Sequence, residues 1–335
     1  THYSPALGEM NFRRAVADLE SRTSPHHCSP DNVAIFPGGT SAIHAVMSCL
    51  LDAGDEVIIP DPMYVGYPGI MAGLNVKIVS VKTDPANNFK VDCAALVAAV
   101  TPRTRVVFIN TPNNPTGSII DQETLRELAA FCHEKNLWLV CDEMYSMFTY
   151  EKRHVSLRAA AEQLDNVVMI DGLSKSHAMS GWRMGWVVAP LELMPHLENF
   201  SANTLFGCTQ FIQDAAAFAL SNDEYYVDEM RAEYKIRRDL VVNRVNEIPG
   251  LSCKTPESGM FVMVNVAKLT DDDMQFAGDL LEAERVSVVP GSAFGSSTSG
   301  HLRVSLVQPP HVLKEGCERL ARFALAQNEL SGAQA

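Results

Sequence analysis

The 335-residue sequence has little positive charge: 27 Lys and Arg stand against 40 Asp and Glu, a net charge of -13. A nucleic-acid or anionic-membrane surface needs clustered cations, so no nucleic acid and no membrane is read as a partner, and local sites for small anions remain open. The chain has no apolar run of membrane-spanning length and no charged-then-apolar signal pattern at its amino terminus, which reads as cytoplasmic. Its eight cysteines (Cys28, Cys49, Cys93, Cys132, Cys141, Cys208, Cys253 and Cys317) never fall in CxxC spacing and mostly sit in apolar runs. No metal is assigned to them, and reduced, core-like thiols are expected. Repeats and low-complexity segments are absent, and no GxGxxG follows the first strand, which argues against a nicotinamide dehydrogenase. What is present is a composition of 47% hydrophobic and 20% charged residues, enough to bury a sizeable core in about two domains.

Short β-branched runs alternate with helical periods, the pattern of an α/β fold with a mostly parallel sheet covered by helices. The expected strands are Val33 to Phe36, Glu56 to Ile59, Val76 to Val81, Arg105 to Asn110, Leu137 to Cys141, Val167 to Ile170 and Gly185 to Val188. A helix over Asp121 to Lys135 opens on Asp121 as a cap and carries Leu125, Leu128 and Cys132 on one stripe. A long charged helical stretch from Asp223 to about Glu247 links a large domain, 1–225, to a smaller C-terminal α/β domain, 226–335. The latter is expected to hold strands at Met260 to Val266, Val286 to Val289 and Leu302 to Val307, and a closing helix from about Val312 to Ala326.

Four segments carry chemistry. Pro37-Gly38-Gly39-Thr40-Ser41 follows a strand and opens the helix Ala42 to Leu51, so its amides and the helix dipole suit an anion such as phosphate, or simply make a strand-to-helix turn. Asp142 directly follows the apolar run Leu137 to Cys141, at the carboxyl end of a strand where open α/β sheets bind ligands. A buried acid needs a partner, and a protonated pyridine nitrogen is one candidate; capping a neighbouring turn is the other. Tyr145 and Asn114, the latter in the turn Asn110 to Gly117, could reach the same ring. Lys175 stands after the run Val167 to Ile170 and eight residues before Arg183, whose charge could balance a phosphate.

These elements together resemble the class I/II aminotransferases of the fold type I pyridoxal-phosphate family. The resemblance runs from Tyr3 to Arg303 and rests on Pro-Gly-Gly-Thr at 37–40, Gly54-Asp55-Glu56-Val57, Pro62-Met63-Tyr64, Asn113-Asn114-Pro115-Thr116-Gly117, Asp142-Glu143-Met144-Tyr145, Ser174-Lys175, Gly181-Trp182-Arg183-Met184-Gly185 and His301-Leu302-Arg303, in order. It implies pyridoxal 5'-phosphate as cofactor, bonded to Lys175, which later serves as general base. It further implies Asp142 at the ring nitrogen, Asn114 and Tyr145 at the phenolate oxygen, and Tyr64 on the ring face. Gly39, Thr40, Ser174 and Arg183 would hold the phosphate, while Arg303, with Asn114 nearby, would clamp the substrate α-carboxylate. A homodimer is implied too, with Tyr3 reaching the phosphate in the neighbouring subunit. The reaction implied is ping-pong transfer of an amino group from an L-amino acid to a 2-oxo acid.

Two positions depart from the family pattern: Gly172 stands where a phosphate-binding serine is common, and His177 where an aromatic is. Relatives also carry some tens of residues before the segment that is here Tyr3 to Gly8, so an amino-terminal arm and part of the small domain are expected beyond this sequence. The segments Leu173 to Arg183 and Phe211 to Ala216 are more similar to arginine:pyruvate than to aspartate transaminases, which implies a basic donor; such a side chain would want a carboxylate, and Glu257 is read either as that partner or, in preference, as a surface loop acid. Aspartate is the alternative donor. A β-lyase, decarboxylase or cyclase on this scaffold shares the same constellation, and a regulatory module is a further class, opposed by the intact Lys175.

Overall fold

The computed structural model describes residues 2–222 and 224–332. Its larger sheet has seven strands: β1 (Val33–Phe36), β2 (Glu56–Asp61), β3 (Lys77–Lys82), β4 (Thr104–Asn110), β5 (Trp138–Asp142), β6 (Val167–Gly172) and β7 (Gly185–Val188). The order is β3-β2-β4-β5-β6-β7-β1, parallel from β3 to β6, with β7 antiparallel to both of its neighbours. The chain moves outward from β2 to β3 and then returns on the other side of β2 to make β4. Such a reversal of direction opens a crevice at the strands' carboxyl ends.

Strand alternation decides what faces that crevice. Along β5, Leu139 and Cys141 join the core on one side of the sheet with the helix Gln122–Glu134, while Val140 joins the other with the helix Gly39–Leu50. Period two therefore puts Asp142 on the Val140 face. The same alternation in β4 puts Asn110 with Val106 and Phe108, and the register pairs Asn110 with Asp142.

A second sheet is antiparallel, in the order β10-β11-β9-β8, with β8 (Ser252–Cys253), β9 (Phe261–Asn265), β10 (Val289–Pro290) and β11 (His301–Ser305). Its apolar face packs with the helices Glu224–Asn246, Asp273–Glu284 and Pro310–Gly332 in one cluster that also takes in Tyr145 and Phe148.

All seven expected strands of the large sheet form, with ends shifted by a residue or two. The cap Asp121 accepts from the Thr124 amide at 2.9 Å, and Leu125, Leu128 and Cys132 are fully buried. The eight thiols are unpaired, and burial pushes that of Cys132 up to about 12. Several boundaries need correction. The helix expected from Ala42 begins at Gly39, because Gly38 at φ 85° turns the chain into it earlier. Asp142 is the last residue of its strand rather than the first after it. Val286 to Val288 form no strand; pairing with β11 begins only at Val289. The closing helix runs from Pro310 to Gly332, longer at both ends. Asp223, expected to open the long helix, lies outside the described residues, and the helix starts at Glu224.

Candidate active site

The carboxyl ends of β4 and β5, the first turn of the helix Gly39–Leu50, the loop after β6 and the small sheet enclose a cleft of about 480 Å³. It is lined by Gly39, Thr40, Tyr64, Asn114, Asp142, Tyr145, Ser174, Lys175, Arg183 and Arg303, which are nine expected cofactor contacts and the expected carboxylate clamp. Tyr3 is not among them. It is 83% exposed and lies against Phe206, with ring centroids 5.5 Å apart.

Asp142 is buried at the floor. Its Oδ2 accepts from the Tyr67 hydroxyl at 2.6 Å and its Oδ1 from the Met144 amide at 3.0 Å. Burial pushes this carboxyl above the ordinary range, although the Tyr67 and Met144 hydrogen bonds and the Lys175 charge favour its ionised form. A carboxyl held this way gains most from a cation that enters the cleft with it. Lys175 sits in the short helix Leu173–Ser176 that follows β6. Burial lowers its pKa, and the charges of Arg303 and Arg183 lower it further while Asp142 opposes them. The shift is towards the free amine, the form that a nucleophile or base requires.

At one end of the cleft the helix Gly39–Leu50 starts with no side chain capping its first amides. Arg183 lies over this turn, donating from Nη1 to the Ser180 carbonyl at 2.8 Å and from Nη2 to the Pro37 carbonyl at 3.3 Å. A Cβ on Gly38 would collide with that guanidinium, and its positive φ already favours glycine. Uncapped amides, helix dipole and guanidinium together suit a phosphate. Gly172, where a serine is common in relatives, has a separate reason: a Cβ there would sit 2.7 Å from the Met184 carbonyl, just before the neighbouring strand β7.

At the other end Arg303 of β11 is half-buried between the rings of Phe261 and Phe294, at 4.9 and 4.7 Å. Its Nη1 donates to Asn114 Oδ1 at 2.9 Å, and its buried Nε has no protein acceptor. A buried charged donor without an acceptor is costly, so this end suits an entering carboxylate. Tyr145 packs edge-on against Phe261, with centroids 5.2 Å apart, and burial raises its phenol pKa. The buried polar groups left open therefore fit the pyridoxal 5'-phosphate implied by the sequence: a phosphate end, a ring-nitrogen partner, an amine and a carboxylate clamp.

Two residues that sequence reasoning passed over belong to the floor. Asn110 donates to the Asp142 carbonyl at 2.9 Å and accepts the Asn114 amide at 2.8 Å, so it braces two expected contacts at once. Its signal was the β4 alternation itself. Tyr67, three residues after Tyr64, is buried against Phe108 and had no signal beyond that spacing. Glu257 is misplaced as a side-chain partner: it does not line the cleft, its carbonyl accepts from Tyr150, and its carboxylate lies 3.4 Å from the Ile119 amide.

Comparison with known proteins agrees with this geometry. The family model "Aminotransferase class I and II" matches residues 1–320. An arginine–pyruvate transaminase of Pseudomonas aeruginosa is 39% identical over 324 residues, covering 97% of this chain and 82% of the relative. An aspartate aminotransferase of Pyrococcus horikoshii is 33% identical, covering 96% and 83%. Among solved structures, an aromatic aminotransferase from Pyrococcus horikoshii superposes with a TM-score of 0.93 at 33% identity, covering 98% of this chain and 89% of that one. The aspartate aminotransferase of Thermus thermophilus with maleate gives 0.91 at 32%, covering 96% and 84%. The chain belongs to the class I and II aminotransferases, enzymes of fold type I that depend on pyridoxal 5'-phosphate.

Proposed function

We propose that Lys175, Asp142 and Arg303 divide the work of amino-group transfer from an L-amino acid to a 2-oxo acid. The observation that carries this reading is their convergence on one cleft, with the Arg303 Nε buried and open to a carboxylate. The bound cofactor supplies an aldehyde carbon that bonds amines and a protonated ring that draws electrons from the substrate Cα. Arg303 grips the α-carboxylate in its planar fork, steadied by Asn114, and so presents the Cα–H bond towards Lys175. Lys175 Nζ, whose pKa is lowered by burial and by the Arg303 and Arg183 charges, would take the Cα proton and release it to what was the cofactor's aldehyde carbon. Asp142 would keep the ring nitrogen protonated, Tyr145 and Asn114 would bond the phenolate oxygen, and Tyr64 would lie on the ring. Gly39, Thr40, Ser174 and Arg183 would hold the phosphate. The 2-oxo acid then meets the same groups in reverse order, giving ping-pong kinetics. Adding donor alone to the enzyme should change its visible spectrum, and adding acceptor alone should restore it; turnover without that two-stage exchange contradicts the reading.

For the donor, the proposal is arginine or another basic amino acid, with pyruvate as acceptor, supported by the similarity to the Pseudomonas transaminase. A second reading, a neutral donor, is favoured by the cleft lining: among the described residues its only carboxylate is Asp142, while Met260, Phe261, Ser305 and Val307 are uncharged. Single-turnover rates with arginine, lysine, alanine, phenylalanine and aspartate rank these readings, and aspartate outpacing the rest overturns both.

We further propose a cytoplasmic homodimer in which Tyr3 serves the partner's phosphate site, and a division into domains 1–225 and 226–335. Support for the first is the exposed Tyr3 and Phe206 pair together with the family resemblance. Support for the second is the separate core around the small sheet. For membrane association there is only one structural fact: among the described residues no helix is long and apolar enough to cross a bilayer.

A further inference from the structure

Arg303 stands on the small sheet, yet each of its two aromatic neighbours is tied to the large one by a buried ion outside the cleft. Phe294 precedes a turn whose amides at Ser296 and Ser297 donate to the Asp61 carboxylate at 3.0 and 3.1 Å, with the Ser296 hydroxyl at 2.9 Å. Asp61 closes β2 and is 4% exposed, and the Met63 amide also donates to the Phe294 carbonyl at 2.9 Å. Phe261 follows the strap 256–259. This strap pairs with 148–150: Tyr150 donates to the Glu257 carbonyl, Gly259 to the Phe148 carbonyl, and the Tyr150 hydroxyl to the Gly259 carbonyl. Ser258, wholly buried, donates to the Gly117 carbonyl at 2.9 Å in the turn that carries Asn114.

Arg238 locks that strap. Its guanidinium is 1% exposed, lies 4.4 Å over the Tyr150 ring, donates to the Pro256 carbonyl at 3.0 Å and forks onto Glu151 at 2.9 and 2.6 Å. Nε turns to Asp239 at 2.8 Å. One cation thus spans the long helix, the strap and the loop after Tyr145.

We propose that Asp61 and Arg238 are positioning residues that set the Phe294 and Phe261 walls of the Arg303 clamp, and so tune recognition of the substrate α-carboxylate without touching it. Closely packed rings leave the guanidinium one direction, and a planar fork loses affinity when that direction shifts. Neither ion lines the cleft; each acts on it through the Phe294 turn or the strap that leads to Phe261.

The inference rests on the reading of Arg303 as carboxylate clamp, and the test separates the two. Half-reactions of the cofactor-loaded enzyme are compared for an amino acid and for the amine that lacks its carboxyl, in wild type, Asp61→Asn, Arg238→Met, Arg238→Lys and Glu151→Gln. Wild type should prefer the amino acid strongly; if it does not, the clamp reading itself fails. Asp61→Asn and Arg238→Met should raise KM for the amino acid by about tenfold, keep kcat within about threefold, and shrink the preference over the amine in proportion. Arg238→Lys, which keeps the charge and loses the fork, should recover part of it. A preference and KM unchanged in the folded variants, with only a lower melting temperature, overturns the proposal. Should Arg238→Met fail to fold, Asp61→Asn and Glu151→Gln, whose side chain is 53% exposed, decide by the same criterion.

Discussion

The two walls of the cleft are built differently. On the large-sheet wall, Asn110 and Asp142 are the last residues of adjacent parallel strands, and Lys175 follows the next strand by three residues. Their positions come from the ladder hydrogen bonds of a buried parallel sheet, and Tyr67 adds a hydrogen bond to the Asp142 carboxylate at 2.6 Å. On the small-sheet wall, Arg303 is half-buried and owes its surroundings to Phe294 of the preceding turn, to Phe261 of the neighbouring strand and to Asn114, 189 residues away. The groups proposed for the chemistry sit at strand ends buried on both faces, and the group proposed for recognition sits on a wall held by tethers. Substitutions on the first wall should therefore reduce kcat, and those on the second should act through KM.

Asp142→Asn offers the largest effect in that comparison. An amide cannot keep a ring nitrogen protonated as a carboxylate does, so kcat should fall by about 10²- to 10³-fold while the cofactor stays bound, as read by absorbance and turnover. A loss confined to KM would erase the distinction between the walls. Arg303→Lys keeps a cation but removes the fork, and kcat/KM for the amino acid should drop by about 10²-fold, mostly in KM, as steady-state kinetics would report. Tyr67→Phe removes one hydrogen bond from the buried Asp142 carboxylate. Since that bond favours the ionised form, its loss should raise the Asp142 pKa further and reduce kcat about tenfold, with the acid limb of the pH profile moved upward.

The smallest effect concerns stability alone and lies on the opposite face of the large sheet. Burial, together with the Glu143 charge, raises the Glu20 carboxyl to about 7, against the pull of Arg158. A carboxyl whose folded pKa exceeds its unfolded value near 4.5 stabilises the fold fully below that value, and the contribution is lost as pH rises to about 7. Denaturant unfolding of wild type should therefore show stability declining across this window by up to about 3 kcal/mol, and Glu20→Gln should flatten the decline without altering kcat. A change in turnover in this variant would mean that the far face is coupled to the chemistry.

The contrast between the walls also explains what could be read from sequence. Asp142, Lys175, Asn114 and the turn at Gly39 were legible because each follows or closes an apolar run, and their spacing matches a family pattern. Asn110 was equally legible by strand alternation and register, yet it reads as an ordinary turn residue until its neighbour Asp142 is placed. Arg303 was visible only through resemblance. Asp61 and Arg238 were not legible, because their partners are distant: Ser296 is 235 residues from Asp61, and Glu151 is 87 from Arg238. Glu257 is the loop acid that its sequence context favours, and its neighbours Ile119 and Tyr150 were not legible because they depend on how the strap folds. The strand expected from Val286 has the right residues but finds no pairing partner before Val289. The reach of Tyr3 is not a property of one chain.

The proposed transfer requires a covalent bond between the cofactor and the Lys175 amine. Borohydride reduction of the purified holoenzyme, followed by proteolysis and mass spectrometry, should place the pyridoxyl phosphate adduct on the peptide containing Ser174-Lys175-Ser176, and Lys175→Ala should carry none and lose transamination by at least about 10⁴-fold. An adduct mapped to another lysine, or a Lys175→Ala enzyme that still turns over normally, would contradict it.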